Sequence, residues 1–152
     1  MKKTLLTGLF LLVGFATQAQ NEITIDGKVS NVKDGLVINL FRNDGRVGTT
    51  IATDTIKSGT FHFKVKPEKE LDQLSLYVRS NEFPSMSREL YATPNARIQV
   101  SGEDNLIYTW VVKSNVKEQQ ENDRYLFAAK KMWIEFQQIA AKESALWGII
   151  DS

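Results

Sequence analysis

The chain has 152 residues, with 19 basic and 18 acidic side chains, one histidine and no cysteine. Thiol exchange, thiolate nucleophiles and cysteine-ligated metals are excluded, because the sulfur atom they need is missing. A formal charge of +1, with basic residues scattered rather than striped, also argues against nucleic acid as a partner.

The first segment reads as an export leader. Lys2 and Lys3 precede an apolar run from Leu5 to Phe15, and Thr17-Gln18-Ala19 places small residues at the −3 and −1 positions of a cleavage site. The run is shorter than the roughly 20 residues of a spanning helix. Cleavage after Ala19 leaves 17 basic and 18 acidic residues and no cysteine for a lipid anchor. The expected destination is the periplasm or cell envelope, with no membrane span once the leader is removed.

From residue 20 to residue 113 the apolar period is two, and turn residues recur at the spacing of an all-β sandwich. Phe61-His62-Phe63-Lys64-Val65-Lys66 alternates apolar and polar without a fault. Leu36, Ile38 and Leu40 form another inward set, as do Leu74, Leu76 and Val78, and Ile98 with Val100. Further strands are predicted at Glu22–Val29, Val47–Ile56, Arg88–Ala92 and Leu106–Lys113. Asp34-Gly35, Asp44-Gly45 and Ser58-Gly59 supply glycines where hairpins need positive φ. Pro67 ends a strand by removing a ladder donor, Pro94-Asn95 marks a turn, and Asn81 to Ser87 reads as a loop. The expectation is an antiparallel β-sandwich of about eight strands.

The period changes at about Ser114. Asn115 with Glu118 resembles a capping box. Leu126, Ala129, Trp133, Phe136 and Ala140 then repeat at helical spacing, predicting one long amphipathic α-helix from Val116 to about Leu146. A stripe of that length needs something to pack on. The β domain can cover part of it, and another domain or chain is expected to take the rest. Residues 114–152 therefore read as a helical connector or tail that stops short of a further domain.

Catalytic chemistry finds few residues. His62, between Phe61 and Phe63, points away from the core, and a lone histidine supplies neither a triad nor a zinc site. The Asp-Gly pairs lack the alternating acids and closing glutamate of a calcium loop, and the phosphate-binding glycine patterns and the nucleophile elbow are absent. Two acids suffice for glycoside hydrolysis, but most acids here fall at turns or on the helix. The expectation is a non-enzyme with no cofactor and no metal. The residues singled out for ligand or partner contact are aromatic: Tyr77, Tyr91 and Trp110 (with Tyr108 beside it) on strands, and Trp133 and Phe136 on the helix. They leave open a free-standing sugar- or peptide-binding sandwich.

Three segments carry a family resemblance. Ile25-Asp26-Gly27-Lys28-Val29 with Asp34-Gly35-Leu36-Val37-Ile38-Asn39-Leu40 looks like paired opening strands. Thr53-Asp54-Thr55-Ile56-Lys57-Ser58-Gly59-Thr60-Phe61-His62-Phe63 looks like a central hairpin. Ile98-Gln99-Val100-Ser101-Gly102 and Val111-Val112-Lys113-Ser114-Asn115 look like last strands leading into a helix, with Lys113 where glycine is common. Together they resemble the β domain of unknown function that precedes the thioredoxin-like module in exported thiol:disulfide oxidoreductases of Bacteroidetes, similar to the TlpA, ResA and AhpC/TSA group. The resemblance implies a non-catalytic accessory module whose helix meets a thioredoxin-like domain. The Cys-x-x-Cys dithiol would lie on that domain, so no catalytic residue carries over to this chain.

Overall fold

The computed structural model describes residues 21–45, 48–80, 83 and 86–150. The export leader at residues 1–19 lies outside them. Among the described residues, eight strands form two four-stranded sheets. One sheet has the order β4-β1-β7-β8, from β4 (Thr60–Val65), β1 (Ile23–Val29), β7 (Arg97–Gly102) and β8 (Val111–Lys113). The other has the order β3-β2-β5-β6, from β3 (Gly48–Thr55), β2 (Val37–Asn43), β5 (Asp72–Val78) and β6 (Arg88–Ala92).

Period-two alternation decides which side chains meet. Ile23, Ile25, Ile98 and Val100 from one sheet and Ile38, Leu40, Leu74 and Leu76 from the other fall in a single buried cluster. The side chains between them turn outward, as strand geometry requires. Ile56 and Phe83 join the cluster from connecting segments, so a residue read as loop fills core volume.

The pairing is not wholly antiparallel. β1 runs parallel to β7, with Ile25 opposite Ile98 and Gly27 opposite Val100. Alternation fixes which face a strand buries but says nothing about the direction of a partner seventy residues away. The glycine turns also separate by role. Ser58 and Gly59, both at positive φ (49° and 69°), make a two-residue turn closed by reciprocal Lys57–Thr60 backbone bonds of 3.0 and 2.9 Å, and it carries the chain from β3 in one sheet to β4 in the other. Gly35, also at positive φ, lies between β1 and β2, which belong to different sheets, so its turn is a crossover and not a hairpin.

The expected strand Leu106–Lys113 is mostly something else. Ile107–Thr109 is a 3-10 turn, and only Val111–Lys113 pairs as strand. Asp104 Oδ1 accepts the Leu106 N–H at 2.8 Å, and the Asp104 carbonyl accepts from Trp110 Nε1 at 2.8 Å. Ile107 and Trp110, three apart, both turn into the core. Three-residue spacing suits a 3-10 turn, where i and i+3 eclipse, and does not suit a strand.

The predicted single helix is two: α1 (Lys117–Ala128) and α2 (Lys130–Ile150). Between them Ala129 sits at φ −103°, ψ 9°, and its N–H is shared by the carbonyls of Tyr125 (3.3 Å) and Leu126 (3.2 Å). No proline or glycine causes the break. It falls where the helical segment changes neighbours, from β6 and β8 under α1 to the 3-10 turn under α2. The capping box does not form either. Val116 is buried, so the N-cap moves there, and Ser114 Oγ accepts the Val116 N–H at 3.1 Å.

Candidate functional site

The described chain has its most unusual surface where the helices meet the β domain. Arg88, on β6, is almost completely buried, with 1% exposure. Its Nε donates to the Trp110 carbonyl at 2.8 Å, and its guanidinium pairs with Asp123 of α1. Gln119, one turn earlier on α1, donates to Asp123 Oδ1 at 2.9 Å and accepts the Tyr91 N–H at 2.8 Å. That last bond covers an open donor on the edge strand β6, which would otherwise be free to pair with another chain. Together Arg88, Gln119 and Asp123 fix α1 against the sheet through hydrogen bonds to one another, to the Tyr91 N–H and to the Trp110 carbonyl, while Arg88 Nη1 is buried without a partner.

An aromatic series continues this junction onto α2. Tyr108 meets Trp133 with ring centroids 4.9 Å apart, and Trp133 meets Phe136 edge-on at 6.1 Å. The space enclosed by Arg88, Tyr108, Trp110, Leu126 and Trp133 holds only about 10 Å³, room for a single water. Trp133 packs on Tyr108 beside this space and ties the base of α2 to the 3-10 turn.

Burial pushes the hydroxyls of Tyr91 and Tyr108 above their ordinary value of 10.0, and the Glu89 carboxylate adds to the shift in both. The folded state favours the neutral phenols. Their contribution to stability is complete below the unfolded value and is lost as pH rises through the raised folded one. Phenolate absorbance during alkaline titration is expected to show Tyr91 and Tyr108 ionising above the ordinary tyrosine value, and Tyr108→Phe is expected to flatten the fall in stability above pH of about 10.

The outward face of α2 is apolar. Met132, Phe136, Ile139, Leu146 and Trp147 are each more than half exposed. The sequence stripe placed Phe136 with Leu126 and Trp133 on the buried side. The structure instead buries Leu126 and Gln137 and leaves Phe136 at 53% exposure. Its ring meets that of Trp133 at the edge of the junction.

The strand aromatics named for ligand contact do not converge. Trp110 is 1% exposed and stacks on Phe61 at 6.1 Å in the core, so it is not a ligand contact. Tyr91 lies at the edge strand next to Gln119 and packs partly on the core. Tyr77 is on the outer face of its sheet, edge-on to Phe41 at 5.9 Å, where Asn43, Gly48 and Ser75 help line a shallow recess of about 270 Å³.

His62 does point outward, as alternation requires, and it has a partner that only the register reveals. Asp26 lies opposite it on β1, with Oδ1 2.7 Å from Nδ1. Asp54 accepts the His62 and Thr55 backbone N–H groups, each at 2.7 Å. Both members of the His62–Asp26 pair are more than half exposed. Among the described residues no group of three or more His, Asp or Glu is placed to hold a metal, and no helix is long and apolar enough to cross a membrane.

No family model matches the chain, and no curated protein matches it. Among solved structures, 64% of the chain aligns with 23% of a "Gram Negative Toxin" at 10% identity and a TM-score of 0.27. A structure of pneumolysin aligns over 63% of this chain and 24% of its own, at 9% identity and a TM-score of 0.25. The chain thus spans about a quarter of each, and likenesses this weak carry no argument.

Proposed function

We propose that the chain is a non-catalytic accessory module of an exported thiol:disulfide oxidoreductase-like protein, working in the periplasm or cell envelope. Its two sheets, packed as a sandwich, mount the C-terminal helices, and α2 offers its outward face to a thioredoxin-like domain or to another chain. The observation that carries this reading is the exposed stripe Met132, Phe136, Ile139 and Leu146 on α2, a helix whose base packs on the 3-10 turn through Trp133 and Tyr108. Contiguous exposed apolar surface on a soluble domain marks an interaction site. A helix held at its base by packing presents that surface in one orientation, which lowers the entropy lost on docking. The redox context rests on the strand and turn resemblance, and since these 152 residues hold no cysteine, any dithiol of such a protein lies outside them.

The test has two parts. The codons after Ser152, or an adjacent gene, are expected to encode a thioredoxin-like domain with Cys-x-x-Cys. Oxidative footprinting of the dilute chain with that domain present is expected to protect Met132, Phe136 and Trp147 relative to the dilute chain alone. No such coding sequence, together with unchanged labelling against any thioredoxin-like protein of the same genome, overturns the reading.

A further inference from the structure

The exposed residues of α2 follow a stricter rule than exposure alone. Met132, Phe136, Ile139, Glu143 and Leu146 are separated by four, three, four and three positions. That is the 3.5-residue period of a helix–helix seam, with Met132, Ile139 and Leu146 at d and Phe136 and Glu143 at a. The opposite side, at Leu126, Trp133 and Gln137, is occupied by the β domain or buried. Glu135 and Lys142, both exposed, fall one heptad apart at the flanking g positions.

We propose that this seam binds a second copy of the same chain, with the two α2 helices antiparallel about a twofold axis between Gln137 and Gln138. The inference rests on reading α2 as a docking element and names its occupant.

Charge placement selects both the partner and the direction. With the helices antiparallel, Phe136 layers on Ile139 of the partner subunit, and small Ala129 meets Leu146 of the partner subunit. Glu135 then lies beside Lys142 of the partner subunit, and symmetry repeats the pair. Glu143 meets Met132 of the partner subunit, so its aliphatic stem packs while its carboxylate reaches water. A parallel, in-register pair places Glu143 against Glu143 of the partner subunit inside the seam. It also sets Glu135 against an alanine, Ala140, so the like charges gain no compensation. Like charges facing one another across an apolar seam disfavour that arrangement, whereas two complementary flanking pairs favour the other. A self-complementary face of this kind is what a twofold contact requires.

The test is sedimentation equilibrium of the full chain, expressed for export, over a wide concentration range at low salt. A monomer–dimer equilibrium is expected, weakened by added salt. Glu135→Lys and Lys142→Glu each turn two attractions into two repulsions and are expected to weaken the dimer about 10-fold or more, while the double exchange restores it. Ile139→Asp is expected to give monomer throughout. All these side chains are exposed, so unchanged circular dichroism and denaturation midpoints show that the variants fold. A chain that stays monomeric at every concentration, or a dimer indifferent to the charge exchange, overturns the proposal. If a thioredoxin-like domain then still protects the stripe, the docking reading survives and only the second copy is wrong; if nothing protects it, both fail.

Discussion

Arg88→Met is expected to cost about 3–5 kcal/mol of folding free energy, measured by urea denaturation, because it removes one member of a buried, hydrogen-bonded ion pair. The guanidinium is the donor for the Trp110 carbonyl and the counter-charge for Asp123. Without it the carboxylate keeps only the Gln119 amide, in a position with 11% side-chain exposure. The opposite truncation, Asp123→Leu, strands the guanidinium and is expected to cost a similar amount. The double variant Arg88→Met/Asp123→Leu removes both charges together. It is expected to recover most of the loss, since apolar replacements of similar volume often match a buried pair. Because the pair joins β6 to α1, the single variants should also loosen the helices: the near-ultraviolet signal of Trp133 is expected to weaken before the sheets unfold. Additive losses in the double variant would show that the two charges do not act on each other.

Which parts of this arrangement could be read from the residues depends on the range of the cause. Strand faces follow from a neighbour two positions away, so Phe61-His62-Phe63 and Leu74-Ser75-Leu76 reveal their buried sides directly, although Ser75, against the alternation, is also nearly covered. The positive-φ turns at Gly35, Gly45 and Gly59 are equally local. Sheet order is not. The parallel pairing of β1 with β7 and the opposition of Asp26 to His62 depend on chain direction and register, which alternation leaves undetermined. The 3-10 turn left a trace that a strand reading overrode: Asp104 two residues before Leu106, and apolar residues three apart at Ile107 and Trp110.

The charged interior was the least legible. Arg88 sits in strand alternation where Leu90 and Ala92 mark the inward face, so the pattern itself places an arginine in the core. Hydropathy assigns such a residue to the surface, and only Asp123, thirty-five positions later on another element, makes its burial tolerable. Arg42 repeats the case on β2, with Asp72 3.3 Å away and the Lys66 carbonyl at 2.7 Å. The helix stripe fails for a related reason. Apolar residues lie on two faces of α2, one set against Tyr108 and the other open, and periodicity alone merges them into one.

Trp110→Ala is expected to cost about 3–5 kcal/mol, the range for emptying a large aromatic site in a core. The indole stacks on Phe61 at an interplanar angle of 26°, receives the edge of Phe83 at 6.3 Å and donates Nε1–H to the Asp104 carbonyl. Two glycines make room for this cluster. A Cβ at Gly102 would stand 2.3 Å from the indole, and one at Gly27 would stand 2.0 Å from the Phe61 ring. Gly102→Ala alone is therefore expected to cost about 1–3 kcal/mol by overpacking. In the double variant the methyl group enters space that the indole has left, so the two losses should fall well short of their sum. That coupling separates packing from binding. An aromatic displayed for a sugar or peptide would cost within about 0.5 kcal/mol when removed, because surface positions away from caps and buried networks contribute little to stability. It would also show no coupling to a glycine on β7. A full-sized loss at Trp110 with strong coupling to Gly102 assigns the indole to the wall on which the 3-10 turn, and through Tyr108 the base of α2, is built.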